Sequence, residues 1–159
     1  MSGARLAIGD VAPGQPLPEL AVDVTATTVV LGALASRDWR PMHHDRDFAQ
    51  RRNGVRDIFL NTPHLAAWFE RYLTDWSGPT GRLGRMKFRM RDSIFPGDRM
   101  VFRGTIEKVE TDDTGCAWAE VAVRVAVGDR VCTECSARIA LPAREGDNPW
   151  TRKGERWKP

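Results

Sequence analysis

An α+β fold, in which an antiparallel sheet wraps one long central helix, is what this 159-residue sequence predicts. Three observations carry the prediction. Residues 61–77 hold apolar side chains at helical spacing between a polar cap with proline and a Gly-Pro stop. Four later segments, Arg82 to Arg91, Arg99 to Val109, Cys116 to Val127 and Arg130 to Leu141, alternate apolar and polar residues at the period of a half-buried strand. The turn signals Pro96-Gly97-Asp98, Asp112-Asp113-Thr114-Gly115 and Gly128-Asp129 lie between them, as antiparallel neighbours require.

In order along the chain, residues 1–18 carry Gly9, Pro13, Gly14, Pro16 and Pro18 and read as an extended arm. Leu20, Val22 and Val24 alternate with polar residues, a first strand. Thr27 or Thr28 can cap a short helix through Val29, Val30, Leu31 and Leu34 that ends near Asp38. Residues 39–57 form a polar connection. The long helix follows, opened by Asn61-Thr62-Pro63 and striped by Leu65, Phe69, Tyr72, Leu73 and Trp76. Such a stripe is first of all core. Residues 19–142 thus form one domain with the layout of a hot-dog fold. Residues 143–159 form a polar tail whose Trp150 and Trp157 dock on its own domain or on a partner.

Composition agrees with this layout. A chain that is 42% hydrophobic and 28% charged is ordinary for a soluble domain. Met1 to Pro18 lacks the apolar run of a signal peptide, and no stretch is long enough to span a bilayer, so a cytoplasmic protein is expected. A net charge of +3 suits a polyanionic ligand and is too small to argue for nucleic acid. Cys132 and Cys135 form a C-x2-C in an alternating segment. An offset of three in a strand puts them on opposite faces, so free thiols and no metal are expected.

The chemistry concentrates in Asp38-Trp39-Arg40-Pro41-Met42-His43. Pro41 has no N–H and biases Arg40 toward extended backbone, which breaks a helix between the carboxylate and the imidazole. A helix end, a bend and then His43 let both side chains converge on one water. Alone, His43 would read as a hydrogen-bonded structural histidine, so the surroundings decide. His44 is assigned an orienting or structural role beside Asp45, and His64 in the first turn of the long helix a structural one.

Those surroundings resemble the signature of the MaoC-like enoyl-CoA hydratases. Their pattern is Asp-x-Asn-Pro-x-His with a small residue six positions on, matched by Asp38, Pro41, His43 and Ala49, whereas Arg40 stands in place of Asn. Phe95-Pro96-Gly97-Asp98 resembles the family's Pro-Gly-Asp turn. The resemblance spans about residues 20 to 142. It implies the hot-dog fold, with Asp38 and His43 as the catalytic pair. The implied reaction is reversible addition of water to a trans-2-enoyl-CoA, giving a (3R)-hydroxyacyl-CoA. No cofactor is implied, since CoA belongs to the substrate.

Hydration needs a proton removed from water, one delivered to Cα, and stabilisation of the charge on the thioester oxygen. Asp38 and His43 can serve the first two tasks from one face, and an imidazole exchanges protons near neutral pH. Which of them takes the water proton stays open. For the third task, the start of the long helix offers free N–H groups; Pro63 cannot donate, which leaves the backbone of Asn61 and Thr62. The family commonly has Gly where Asn61 falls. Asn tolerates left-handed backbone, and Asn61 as a plain helix cap is the competing reading. For the CoA phosphates, Arg85, Lys87, Arg89 and Arg91 line one strand face. A solvated, anti-aggregation face explains the same row, and Arg40, Arg46, Arg51 and Arg52 are alternatives.

Arg37-Asp38, His43-His44-Asp45-Arg46-Asp47, Asp57-Ile58-Phe59 and Arg71-Tyr72-Leu73-Thr74-Asp75-Trp76 are similar to the small MaoC-like subunit of actinobacterial steroid side-chain enoyl-CoA hydratases. That resemblance implies a steroid acyl group and a hetero-oligomer with a larger subunit carrying MaoC-like and DUF35 domains. A homodimer is the alternative. Two rival functions are a fatty acyl-CoA or acyl-ACP dehydratase, and a noncatalytic subunit completing a partner's site. A thioesterase is the weaker third.

Overall fold

Helix α3 (Thr62–Ser77) is the element around which the other elements are laid. Asn61 caps it by accepting from the His64 N–H at 3.2 Å, Pro63 sits in its first turn, and Gly78 at φ 71° stops it. The computed structural model describes residues 6–159, so the first five residues of the predicted arm lie outside the described part.

Five strands form one antiparallel sheet in the order β1-β3-β4-β5-β2: β1 (Leu20–Asp23), β2 (Arg82–Met90), β3 (Arg99–Thr111), β4 (Ala117–Val127) and β5 (Arg130–Leu141). Alternate residues of each long strand face α3, among them Phe102, Ile106, Val121, Val123 and Ile139. Phe69 of α3 meets Phe102 edge-on at 5.4 Å and Phe88 at the same distance, and Tyr72 lies 5.6 Å from Phe102. Fully burying a side chain of this size is worth about 1.5–3 kcal/mol, so the aromatic cluster fixes where α3 sits.

Helix α1 (Ala26–Ala35) is capped by Thr25, not by Thr27 or Thr28. Thr28 supplies the reciprocal half: Thr25 Oγ1 accepts from the Thr28 N–H at 3.0 Å and Thr28 Oγ1 from the Thr25 N–H at 3.2 Å. The connection read over 39–57 contains a 3-10 turn, Pro41–His43, and a second helix, α2 (Arg46–Asn53). Asp45 caps α2 by accepting from the Phe48 N–H at 2.9 Å, and Gly54 at φ 66° closes it.

Cys132 and Cys135 do not lie on opposite faces: both are buried in the core under α3. Val125 pairs with Thr133 and Ala126 with Val131, so Cys132 is an extra residue in β5 and resets the alternation. All three cysteines are free, and burial pushes the Cys135 thiol up to about 12. The arm is tied to the domain by Leu17 N–H to Gly104 O at 2.9 Å and Gly14 N–H to Ile106 O at 2.7 Å. The tail docks on its own domain. Trp157 packs 5.0 Å from the buried Trp118, and the Arg82 guanidinium stacks 3.6 Å over Trp157 while donating to the carbonyls of Pro149 and Arg152.

Candidate active site

The end of α1 aims Asp38. Arg37 adopts φ 53°, the left-handed backbone usually given to glycine, and its N–H bonds Leu34 O at 3.0 Å while the Asp38 N–H bonds Ala33 O at 2.9 Å. That is a Schellman ending with arginine in the glycine position. The chain then turns at Pro41, and His43 comes back so that its Nε2 lies 3.5 Å from Asp38 Oδ2.

His43 is 3% exposed and its orientation is fixed from behind. Its Nδ1 lies 2.8 Å from Phe59 O. A carbonyl only accepts, so Nδ1 carries the hydrogen, and Nε2 is left as the neutral ring's acceptor, directed at Asp38. The ring also stands edge-on to Phe59 at 5.0 Å. His44, by contrast, is exposed, and Asp45 serves as the cap of α2.

Asp38 is gripped from two sides. Arg40 Nε donates to Oδ1 and Arg40 Nη2 to Oδ2, each at 2.8 Å. Asn61 Nδ2 donates to Oδ2 at 3.0 Å and to Ser36 Oγ at 2.8 Å. The Arg40 guanidinium, opposed by burial and helped by the Asn61 amide, holds the Asp38 carboxyl well below the usual carboxylate range.

The left-handed backbone considered for Asn61 is not what the structure has. Asn61 sits at φ −84°, ψ 161°, an extended conformation open to any residue. Its side chain caps α3 and binds Asp38 together, so cap and site are one feature. Neither the Asn61 nor the Thr62 N–H donates to an acceptor among the described residues. Both lie at the positive end of a 16-residue helix. The Thr62 hydroxyl contacts Met90 Sδ at 3.4 Å, which brings the end of β2 beside this helix start.

The row Arg85, Lys87, Arg89 and Arg91 is exposed on the sheet's outer side, along and just past edge strand β2. Arg91 is ion-paired with Glu134. Lys87, Arg89 and Arg124 border a shallow outer groove with Glu107 and Glu134. The row faces the sheet's outer side and the Asp38–His43 pair lies on the α1–α3 side, while the Arg89 and Arg91 end of the row flanks Met90, which contacts the start of α3. Sequence reasoning missed Arg40 as a carboxylate clamp and the Phe59 carbonyl as the imidazole's anchor. The departure from Asn at position 40 signalled the first; nothing local signals the second.

A carboxylate and an imidazole acceptor 3.5 Å apart, beside free helix N–H groups, can exchange a proton with a bound water while holding a developing oxyanion.

The MaoC like domain model matches residues 10–130. The chain is 35% identical over 132 residues to the 3-oxo-4,17-pregnadiene-20-carboxyl-CoA hydratase beta subunit of Mycobacterium tuberculosis, covering 83% of this chain and 96% of that protein. Among solved structures it is similar to a chain of the ChsH1-ChsH2 complex from the same organism, with TM-score 0.75, 29% identity, and coverage of 82% and 98%. R-hydratase PhaJ1 from Pseudomonas aeruginosa has TM-score 0.77 at 16% identity, covering 88% of each chain, a likeness of hot-dog fold alone.

Proposed function

The chain belongs to the MaoC-like family, and from that premise we propose that it is the small subunit of an enoyl-CoA hydratase. It adds water reversibly to a trans-2-enoyl-CoA to give the (3R)-hydroxyacyl-CoA. The observation that carries this reading is the Asp38 Oδ2 to His43 Nε2 approach at the start of α3. Water bound between the two loses a proton as its oxygen attacks Cβ, and the same face returns a proton to Cα. The backbone N–H groups of Asn61 and Thr62 receive the thioester oxygen as it takes on enolate charge. One face handling both parts of water makes the addition syn.

A steroid side-chain acyl group is the substrate this reading favours, supported by the 35% identity to a pregnadiene-carboxyl-CoA hydratase subunit. The partner is a second protein, supported by the likeness to a chain of a two-protein complex, and the resemblance to the small steroid-hydratase subunit gives it MaoC-like and DUF35 domains. The candidates for the CoA phosphates are Arg85, Lys87, Arg89 and Arg91, with Arg40, Arg46, Arg51 and Arg52 as alternatives, and the compartment proposed is the cytoplasm. No helix is long and apolar enough to cross a membrane among the described residues.

The test uses the chain co-expressed with its partner and a panel of steroidal and linear enoyl-CoA and enoyl-ACP substrates. Asp38→Asn and His43→Ala are each expected to lower turnover at least about a hundredfold with the fold intact, the scale of a lost acid or base or of a lost preorganised charge beside it. Chiral analysis of product formed in D2O should give the 3R, syn adduct. One observation favours a second reading, a noncatalytic subunit: Arg40 occupies both oxygens of Asp38. Near wild-type hydration by both Asp38→Asn and His43→Ala would establish that reading and end the first.

A further inference from the structure

The Asp38 carboxylate has about four acceptor positions, and all four are filled. Arg40 Nε at 2.8 Å and the more distant Arg40 backbone N–H at 3.4 Å take Oδ1; Arg40 Nη2 at 2.8 Å and Asn61 Nδ2 at 3.0 Å take Oδ2. His43 differs. Its Nδ1–H is spent on Phe59 O, while Nε2 has no hydrogen-bond partner among the described residues. The titratable groups reaching Asp38 are Arg40 and His43, both from the turn; α3 presents only the neutral Asn61, and α1 only the Ser36 hydroxyl that holds Asn61.

We propose that Arg40 is a positioning residue that keeps Asp38 as a permanent anion, outside proton transfer, and leaves His43 Nε2 as the one proton carrier of the site. This rests on the hydratase reading above for its chemical consequence. Water gives a proton to Nε2 as its oxygen bonds to Cβ, and the Cα–Cβ π pair moves onto the thioester as an enolate. The enolate collapses by taking that same proton from Nε2 to Cα, which restores the carbonyl and the neutral ring. Asp38 stabilises the transient imidazolium across 3.5 Å without accepting its proton. The guanidinium at position 40 thus divides the labour within the pair: an amide there would bring no charge and could not fork both oxygens.

The experiment compares the full chain with Arg40→Gln, which removes the charge, and Arg40→Lys, which keeps charge without the fork. Arg40 is 61% exposed, so both variants should fold. The 13Cγ resonance of Asp38 in the resting protein reports its titration without any need for turnover. Its midpoint is expected to rise by about one pH unit or more in Arg40→Gln, the scale of a lost arginine neighbour, with Arg40→Lys in between. An Asp38 midpoint unchanged by Arg40→Gln overturns the proposal. Absence of hydration by the wild-type complex, with the Asp38 midpoint still following Arg40, would remove the hydratase reading and leave the anion assignment standing.

Discussion

Single residues in this protein hold conformations or charges that their neighbours must maintain. Arg37 is the clearest case, a non-glycine residue at φ 53° immediately before Asp38. Left-handed backbone costs an L-residue about 1–2 kcal/mol, part of which glycine would forfeit in unfolded-state entropy. Arg37→Gly is therefore expected to raise stability by a few tenths to about 1 kcal/mol in denaturant titration. A clear loss would mean that the arginine side chain, not the backbone, holds the turn. Asp112 shows the same dependence through charge. Burial alone would raise its pKa, but the Thr114 hydroxyl, the Trp118 indole at 2.8 Å and the N–H groups of Cys116 and Thr114 bring it down to about 2. Because the folded value lies below the unfolded one, its stabilisation is complete above about pH 4 and is lost as pH falls toward 2. Asp112→Asn removes the charge and keeps one acceptor oxygen, which can still serve the Thr114 and Cys116 groups, but sets its NH2 against the Trp118 indole N–H, and should cost on the order of 2 kcal/mol at pH 7. That difference from wild type should shrink on acidification below pH 4, measured by urea unfolding at stepped pH.

Elements were legible where cap, stripe and stop agreed, and illegible where burial came from one residue or one inserted residue. In α3, Asn61, Pro63, the Leu65 to Leu73 stripe and Gly78 all point to one helix. Helix α2 has no such stripe; Ala49 is its only fully buried residue, and only the Asp45 cap and Gly54 mark its ends. The paired cysteines misled because a bulge in β5 is invisible to a period of two. In the candidate site, the convergence of Asp38 and His43 followed from Pro41. The fold-back of Arg40 over two residues and the reach of Phe59 O across sixteen did not, since neither is a local pattern. The contact that sets α1 on α3 was equally hidden. A Cβ on Gly32 would stand 1.8 Å from His64 Nδ1, and His64 is itself held by the Trp68 indole N–H at 2.9 Å. Gly32→Ala must push α1 off α3, at about 1–3 kcal/mol. Since α1 ends in the turn that aims Asp38, turnover should fall with it. Wild-type stability in Gly32→Ala would show that the His64 ring swings aside freely.

For the whole molecule, the two edges of the sheet are unequal, and this bears on assembly. Edge strand β1 has four residues, and the arm runs beside β3 where β1 stops, through the Pro16 to Thr105 bridge. Edge strand β2 has nine, bonded to β5 on one side and, among the described residues, to no strand on the other. A long unpaired edge is a template for another strand, and the exposed Arg85, Lys87 and Arg89 guard it against indiscriminate pairing. Leu31, Leu34 and Trp39 add exposed apolar surface on and just beyond α1, next to Asp38. These features predict that the chain works paired through β2 with a second hot-dog domain, and that it is not active as a monomer. Co-expression with a MaoC-DUF35 subunit should give one species by sizing and light scattering. Amide exchange in Arg82 to Met90 should slow in that species relative to the isolated chain, because outward-facing N–H groups gain partners. A fully active monomer would refute the assembly, and an active homodimer only the need for a different partner. A complex whose β2 amides exchange as before would place the interface elsewhere, with the apolar surface around Leu31, Leu34 and Trp39 as the next surface to test.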